Sequence, residues 1–200
     1  GAKDLPPGEA VFFRSLFALP VIVGWLALRG ELGSGLTVRR PLAHLWRGCI
    51  GTTAMALSFT GLSLLPLAEV KAIQYAVPVF VVVLAALFLG ERIRAIRLAA
   101  VALGMVGVLV ILWPRLTAFG ADGANGQQAL GALIVLAGSF CAAVATITVR
   151  RMVETEETAA IVFWFSVTAT VLSLLTLPFG WTLPTPDAAG VLMCAGCVGG

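Results

Sequence analysis

Long apolar runs separated by short polar connections extend along the whole chain. A membrane-spanning helix needs about 20 apolar residues to cross roughly 30 Å of hydrocarbon. Seven runs meet or nearly meet this length, and the segments between them are rich in the Gly, Pro and charged residues typical of loops. Because an open sheet leaves backbone groups unpaired in lipid, the runs predict helices. These predicted helices are residues 10–28, 42–64, 68–90, 95–113, 129–149, 159–179 and 187–200.

The composition agrees with lipid as the main solvent. Of the 200 residues, 60% are hydrophobic and 12% are charged, which is about half the charge of a soluble domain. All four cysteines lie in apolar runs, where cysteine acts as a small hydrophobe. A single His, with no Walker phosphate loop and no basic tract interleaved with aromatics, predicts no cofactor, no metal and no nucleic-acid partner. The predicted fold is an all-α transmembrane bundle.

The loop charges predict the orientation of the helices. Nine of the 13 Lys and Arg residues flank the connections after the first, third and fifth runs, and four lie on the other side. Cytoplasmic loops are enriched in Lys and Arg. We therefore expect a multi-pass plasma-membrane protein, in the inner membrane if bacterial, with its Arg-rich loops in the cytoplasm. His44 and Arg47 are assigned to the cytoplasmic end of their helix, and Glu154, Glu156 and Glu157 to a solvated loop.

A faint internal repeat appears at a constant offset. Glu9 and Ala10 correspond to Glu157 and Thr158, and residues 48–51 correspond to residues 196–199, each pair 148 residues apart. The loop charges give the two copies opposite orientations, as in many secondary transporters. Short matches in Ala- and Gly-rich sequence also arise by chance.

The repeat predicts a division of the chain into two parts. Residues 1–128 would form a first repeat that lacks its first helix, and residues 129–200 a truncated second repeat. The chain would then hold helices two to eight of a ten-helix protein.

One face of the helix 68–90 carries the most informative polar residues. Lys71, Gln74, Tyr75 and Pro78 follow the helical period. Pro78 cannot donate to the carbonyl of Gln74, and lipid tolerates such a carbonyl only against protein or a wet cavity. This face is therefore a candidate cavity wall. For Lys71, snorkelling to the membrane surface is an equal alternative.

Five further residues are weaker candidates for the substrate pathway. Arg14 lies near the outer start of its helix, where it would either attract anionic groups or anchor the interface. Trp164 has the position of an interfacial aromatic, and Thr52 belongs to a small-residue stripe that helix packing explains first. Ser139 and Thr146 share one face, as a second polar wall or with their hydroxyls bonded to their own helix.

An ordered set of motifs carries a family resemblance. It comprises an Arg early in a helix, an LPxA start, a mid-helix Pro, a Gly-Glu-Arg end and a glycine-bearing helix that ends in Pro. Together these resemble an EamA-type member of the drug/metabolite transporter superfamily. The matching residues are Arg14, Leu65 to Ala68, Pro78, Gly90 to Arg92, Gly104, Gly107 and Pro114.

The resemblance implies ten helices in two inverted five-helix repeats that move small metabolites by alternating access. Small dimeric relatives couple to protons through a membrane Glu in their first helix. The helix 129–149, which corresponds to it in the second repeat, has no acid. The sequence therefore leaves open whether a coupling ion takes part.

The combined features predict a secondary transporter, not an enzyme, whose partners are the lipid bilayer and a small solute. A membrane scaffold or assembly subunit is the alternative, since it would need no polar cavity. A membrane enzyme acting on lipid-linked substrates is weaker, because it needs clustered acid, base or metal groups that the sequence does not show. The sequence predicts neither the substrate nor the oligomeric state.

Overall fold

The computed structural model describes residues 7–30, 33, 36–89, 95–117 and 124–176. These residues form helices and contain no strand, which confirms the all-α prediction for this part of the chain. The predicted helix from residue 187 lies outside the described residues. The helices are α1 (Pro7–Arg29), α2 (Pro41–Leu64), α3 (Leu67–Gln74), α4 (Ala76–Leu89), α5 (Ala95–Thr117), α6 (Ala124–Met152) and α7 (Thr158–Leu174).

Three stretches of the described residues are long and apolar enough to cross a membrane. They are Val11–Arg29, Leu67–Leu89 and Gly126–Met152, and α7 is a shorter apolar helix. α2 is not among them, because His44, Arg47 and several Thr, Ser and Gly residues lower its hydropathy. The chain is thus a polytopic helical membrane protein.

The predicted helix 68–90 is interrupted at Tyr75, between α3 and α4. There the N–H of Tyr75 donates to the carbonyl of Ala72 at 3.3 Å, one residue short of the α-helical spacing. Pro78, three residues later, has no N–H for the carbonyl of Gln74. The missing bond inferred from the sequence therefore coincides with a break in the helix.

The described helices fall into two compact units. The first unit comes from residues 1–52 and 148–200 and holds α1, the start of α2, the end of α6, and α7. Within it, α1 packs along α7. Its buried core is Ala18, Ile22 and Leu26, against Leu36, Ala159, Val162 and Phe163.

The second unit, residues 53–147, holds the rest of α2, α3 to α5 and most of α6. Small residues let these helices approach closely, as is usual in membranes. A Cβ added at Gly131 would lie 2.8 Å from Cβ of Leu64, and one at Gly61 would collide with Val135. One buried cluster comprises Leu65, Val70, Ile73, Ala76, Ala132 and Val135.

Candidate functional site

A chain of hydrogen bonds links polar side chains next to the break at Tyr75. Lys71 Nζ donates to Gln74 Oε1 at 3.3 Å, and Gln74 Nε2 donates to Ser58 Oγ at 3.3 Å. Ser58 Oγ in turn donates to the carbonyl of Ala54 at 2.9 Å. The second unit therefore joins α3 to α2 through polar groups, here named the Lys71–Gln74–Ser58 chain.

Ser58 was not among the residues predicted from the sequence. α2 and α3 are joined by Leu65 and Pro66 alone. Ser58 and Gln74 lie at similar distances along the chain from this connection, so a helical hairpin brings them level. Hairpin symmetry is thus the sequence signal for Ser58, because the pattern along a single helix face does not contain it.

Of the four residues predicted to form one polar face of the helix 68–90, only two contact each other. Lys71 and Gln74 are bonded to each other, while Tyr75 is 75% exposed and Pro78 is also exposed. Gln74 is half-buried, because it lies between Lys71 and Ser58. Gln74 is therefore the centre of the polar chain.

Ser139 and Thr146 have partners within α6. Ser139 Oγ donates to the carbonyl of Val135 at 2.9 Å, and Thr146 Oγ1 to that of Ala142 at 2.8 Å. This is the own-helix alternative that the sequence left open. Ser139 is buried and Thr146 is exposed, so the two hydroxyls do not line one accessible wall.

Arg14 is half-buried on α1 in the first unit. On the face predicted for it, Ala18 is in the core, while Val21 and Trp25 line a groove of about 310 Å³ beside α7. The guanidinium of Arg29 lies 4.3 Å from the centre of the Trp25 ring at the exposed end of α1. The other lining residues of this groove are Ile22, Thr158, Ala159 and Val162.

Trp164 borders a larger groove of about 450 Å³ between the start of α2 and α7. Its Nε1 donates to the carbonyl of Leu36 at 3.4 Å, so the indole also holds the α1–α2 connection. The walls are mostly apolar. The other lining residues are Val38, Pro41, Leu42, His44, Leu45, Val167, Thr168, Val171 and Leu172.

Glu156 shows that the predicted solvated acidic loop is partly wrong. Glu154 and Glu157 are exposed, but Glu156 is only 7% exposed. Its Oε1 accepts bonds from the backbone N–H groups of Arg39 at 3.0 Å and Arg40 at 2.8 Å. A buried carboxylate in the α6–α7 connection thus binds the residues that precede α2.

The start of α2 explains why the carboxylate is buried. α2 begins at Pro41, and Arg40 before it has no side-chain oxygen to cap the first N–H groups. Glu156 accepts from the N–H groups of Arg39 and Arg40, directly before the helix, and so places a negative charge near the positive end of the helix dipole.

The ionisation of Glu156 follows from the same contacts. Burial raises the pKa of its carboxyl, but the bonds from the Arg39 and Arg40 N–H groups outweigh it, together with His44, whose Nε2 is 3.4 Å from Oε2. The resulting pKa lies below the ordinary glutamate value, so the carboxylate is charged at neutral pH.

Residues 1–113 match the EamA-like transporter family, which is more than half of the chain. The chain belongs to this family. The resemblance inferred from Arg14, the LPxA start and Pro78 is thereby confirmed. The family match includes Arg14 and the whole Lys71–Gln74–Ser58 chain, whereas Glu156 and Trp164 lie beyond it.

Three relatives of this EamA-family chain carry the names of transporters. The pseudopaline exporter CntI of Pseudomonas aeruginosa is 28% identical over 98% of this chain and 66% of its own length. The S-adenosylmethionine uptake transporter of Rickettsia bellii is 27% identical, covering 96% and 62%. The riboflavin transporter of Rhizobium johnstonii is 30% identical, covering 96% and 60%. The chain therefore spans slightly less than two thirds of these relatives.

Two further polar residues of the EamA-family helix α2, Arg47 and Thr52, have unusual surroundings. The Arg47 guanidinium lies 4.3 Å from the centre of the Phe165 ring on α7. Among the described residues, Arg47 Nε and Nη1 and Thr52 Oγ1 are buried without a hydrogen-bond partner. The sequence analysis counted Arg47 with the loop charges. Gly51, one turn later, was the signal for its inward position, because a Cβ there would collide with Arg47 Nη1.

Proposed function

We propose that the full-length protein is a secondary transporter that moves a small metabolite across the membrane by alternating access. The observation that carries this proposal is the interruption of a membrane-spanning segment at Tyr75, with a chain of polar side chains beside it. A tightened turn inside a helix often marks a functional hinge, and secondary transporters form substrate and ion sites at more fully interrupted helices. The exporter and uptake names of the relatives support a small polar or amphipathic cargo.

The proposed pathway centres on Gln74, with Lys71, Tyr75 and Pro78 around it. In the first unit, Arg14, Trp164 and Thr52 are further candidates: Trp164 lines the groove of about 450 Å³, and Arg14 shares a helix face with lining residues of the groove of about 310 Å³. In the second unit, Ser139 and Thr146 are secondary candidates. A coupling ion would use the same broken segment.

The proposed topology places the chain in the plasma membrane, or the inner membrane of a bacterium, with its Arg-rich ends in the cytoplasm. α1 ends at Arg29 and α6 ends with Arg150 and Arg151, which supports one basic side. The described helices would be members of a ten-helix protein made of two inverted repeats, residues 1–128 and 129–200 of this chain.

Flux through proteoliposomes containing the full-length protein tests the proposal. Wild-type protein should move at least one solute of a panel that begins with S-adenosylmethionine and riboflavin, in a gradient-dependent manner. Gln74→Leu should lower that flux by about tenfold or more, the consequence of losing about 1.4 kcal/mol of transition-state stabilisation. Tyr75→Phe should lower it less, because the ring is kept.

Gln127→Leu on the exposed start of α6 is the matched control and should leave flux unchanged. A membrane scaffold predicts a different pattern. It would show no flux in the wild type over the whole panel, and this result would overturn the proposal. Normal flux in a folded Gln74→Leu variant would remove Gln74 from the pathway.

A further inference from the structure

The environment of Arg47 has a feature that packing does not explain. Its side chain lies in the second turn of α2 against the Phe165 ring, with Nε and Nη1 buried and, among the described residues, unpaired. Removing a guanidinium from water is costly, and stacking on an aromatic ring recovers only part of that cost. A structural arginine would be expected to have a carboxylate partner here.

The nearby carboxylate is already engaged. Glu156 accepts hydrogen bonds from the N–H groups of Arg39 and Arg40 and lies beside His44. No ion pair of Arg47 is found among the described residues. The positive charge of Arg47 is therefore available to an anion.

The large groove comes within one helical turn of this charge. His44, one turn before Arg47, and Thr168, one turn after Phe165, both line the groove of about 450 Å³. Gly48 packs against Thr168, so the small residues of α2 bring its backbone close to α7. An amphipathic molecule whose apolar part lies in the groove would have its charged group within about one helical turn of Arg47.

Thr52 adds a second unpaired group. It is 8% exposed, and its Oγ1 has no partner among the described residues. Thr52 lies on the same face of α2 as Leu45, which lines the groove, and Gly48. Positions 47 and 52 point about 140° apart around the helix axis, so Thr52 is a separate unpaired group and not a second ligand for an anion at Arg47.

We propose that Arg47 binds the carboxylate or phosphate group of a small amphipathic anion whose apolar part occupies the groove between α2 and α7. Arginine suits such groups because its planar donors match their oxygens. If the anion is the cargo, this inference rests on the proposed function and names its substrate class. An anionic lipid headgroup would present the same chemistry.

Thermal unfolding of the full-length protein in nanodiscs tests the site with octanoate as the probe. Octanoate, but not the neutral octanamide, should raise the unfolding temperature of the wild type in phosphatidylcholine. Arg47→Gln should abolish the shift. Arg47→Lys should need an octanoate concentration at least about tenfold higher for the same shift, as expected for the loss of one charge-assisted hydrogen bond. This variant keeps the test valid if Arg47→Gln does not fold.

Arg29→Gln is the matched control, since Arg29 also lies 4.3 Å from an aromatic ring but is exposed. Phosphatidylglycerol discs form the second arm. Stabilisation by this lipid that Arg47→Gln loses and Arg29→Gln keeps would assign the same site to a headgroup. If neither octanoate nor phosphatidylglycerol distinguishes Arg47→Gln from Arg29→Gln, the inference is overturned.

Flux measurements separate this inference from the proposed function. If the wild type moves solutes and Arg47→Gln moves anionic and neutral ones equally well, an anionic cargo at Arg47 is overturned while transport stands. If the wild type moves nothing, transport fails while octanoate binding still decides the role of Arg47.

Discussion

The polar side chains in the two halves of α2 differ in whether they have hydrogen-bond partners. In residues 53–64, Ser58 and Thr60 donate to carbonyls of their own helix, and Ser58 also accepts the bond from Gln74. In residues 41–52, buried atoms of Arg47 and Thr52 lack partners among the described residues. One helix thus combines a satisfied polar half with an unsatisfied one.

This difference separates polar groups that already stabilise the fold from polar groups that still lack a partner. A polar atom in lipid is costly unless it is paired, so a paired one contributes to the fold and its loss destabilises. An unpaired buried atom costs free energy in the resting protein, and a ligand can recover that cost. Loss of a paired group should therefore lower stability, whereas loss of an unpaired group in the first half of α2 should lower stability little or not at all.

The largest expected effect on stability comes from the contact between Glu156 and the residues just before the first half of α2. Glu156→Ala removes the acceptor of the Arg39 and Arg40 N–H groups. We expect the free energy of unfolding to fall by about 1.5–3 kcal/mol, the range for hydrogen bonds to a charged group. Denaturant unfolding of the full-length protein in detergent measures it. Glu154→Ala, in the exposed part of the same loop, should cost little.

The pH dependence of this contact has a definite sign. Because the pKa of Glu156 is lowered on folding, its stabilisation is complete above the ordinary glutamate pKa of about 4.3. It is lost as the pH falls through the lowered pKa of the folded protein. The stability difference between wild type and Glu156→Ala should stay constant from about pH 7 to about pH 5 and shrink below about pH 4. A difference that grows on acidification would contradict the assignment.

A smaller loss is expected in the second half of α2. Gln74→Leu breaks the bonds to Lys71 and Ser58 and should lower the free energy of unfolding by about 0.6–1 kcal/mol, as for other hydrogen bonds between membrane helices. Combining it with Ser58→Ala in a double-mutant cycle isolates the Gln74–Ser58 coupling. Additive effects would show that the two side chains act independently. Gln127→Leu again controls for the change in side-chain polarity.

The sequence predicted the helices well because hydrophobic length and breaker residues are local signals. Pro78 was a local signal for the break at Tyr75, because its lack of an N–H does not depend on residues far away in the sequence. The partners were harder to predict. Glu156 lies more than a hundred residues from Arg39 and Arg40, and only the fold places its carboxylate at the start of α2.

Arg47 shows what a count of loop charges does not predict. The distribution of Lys and Arg predicts topology, and Arg47 near a helix end fitted that rule. Its contact with Phe165 depends on the small residues Gly48 and Gly51, which let α2 approach α7. Such close approaches follow from helix pairing, which no single-helix pattern contains.

The smallest expected effect is the most direct test of the difference between the two halves. Thr52→Val and Thr60→Val make the same change of a hydroxyl to a methyl group in one helix. Thr60 Oγ1 donates to the carbonyl of Ala56 at 2.9 Å, so its loss should destabilise by a few tenths of a kcal/mol. Thr52 has no such bond, so Thr52→Val should be neutral or stabilising by about 0.5 kcal/mol. Equal losses in paired unfolding curves would mean that Thr52 is satisfied like Thr60, which would leave Arg47 as the unpaired group in the first half of α2.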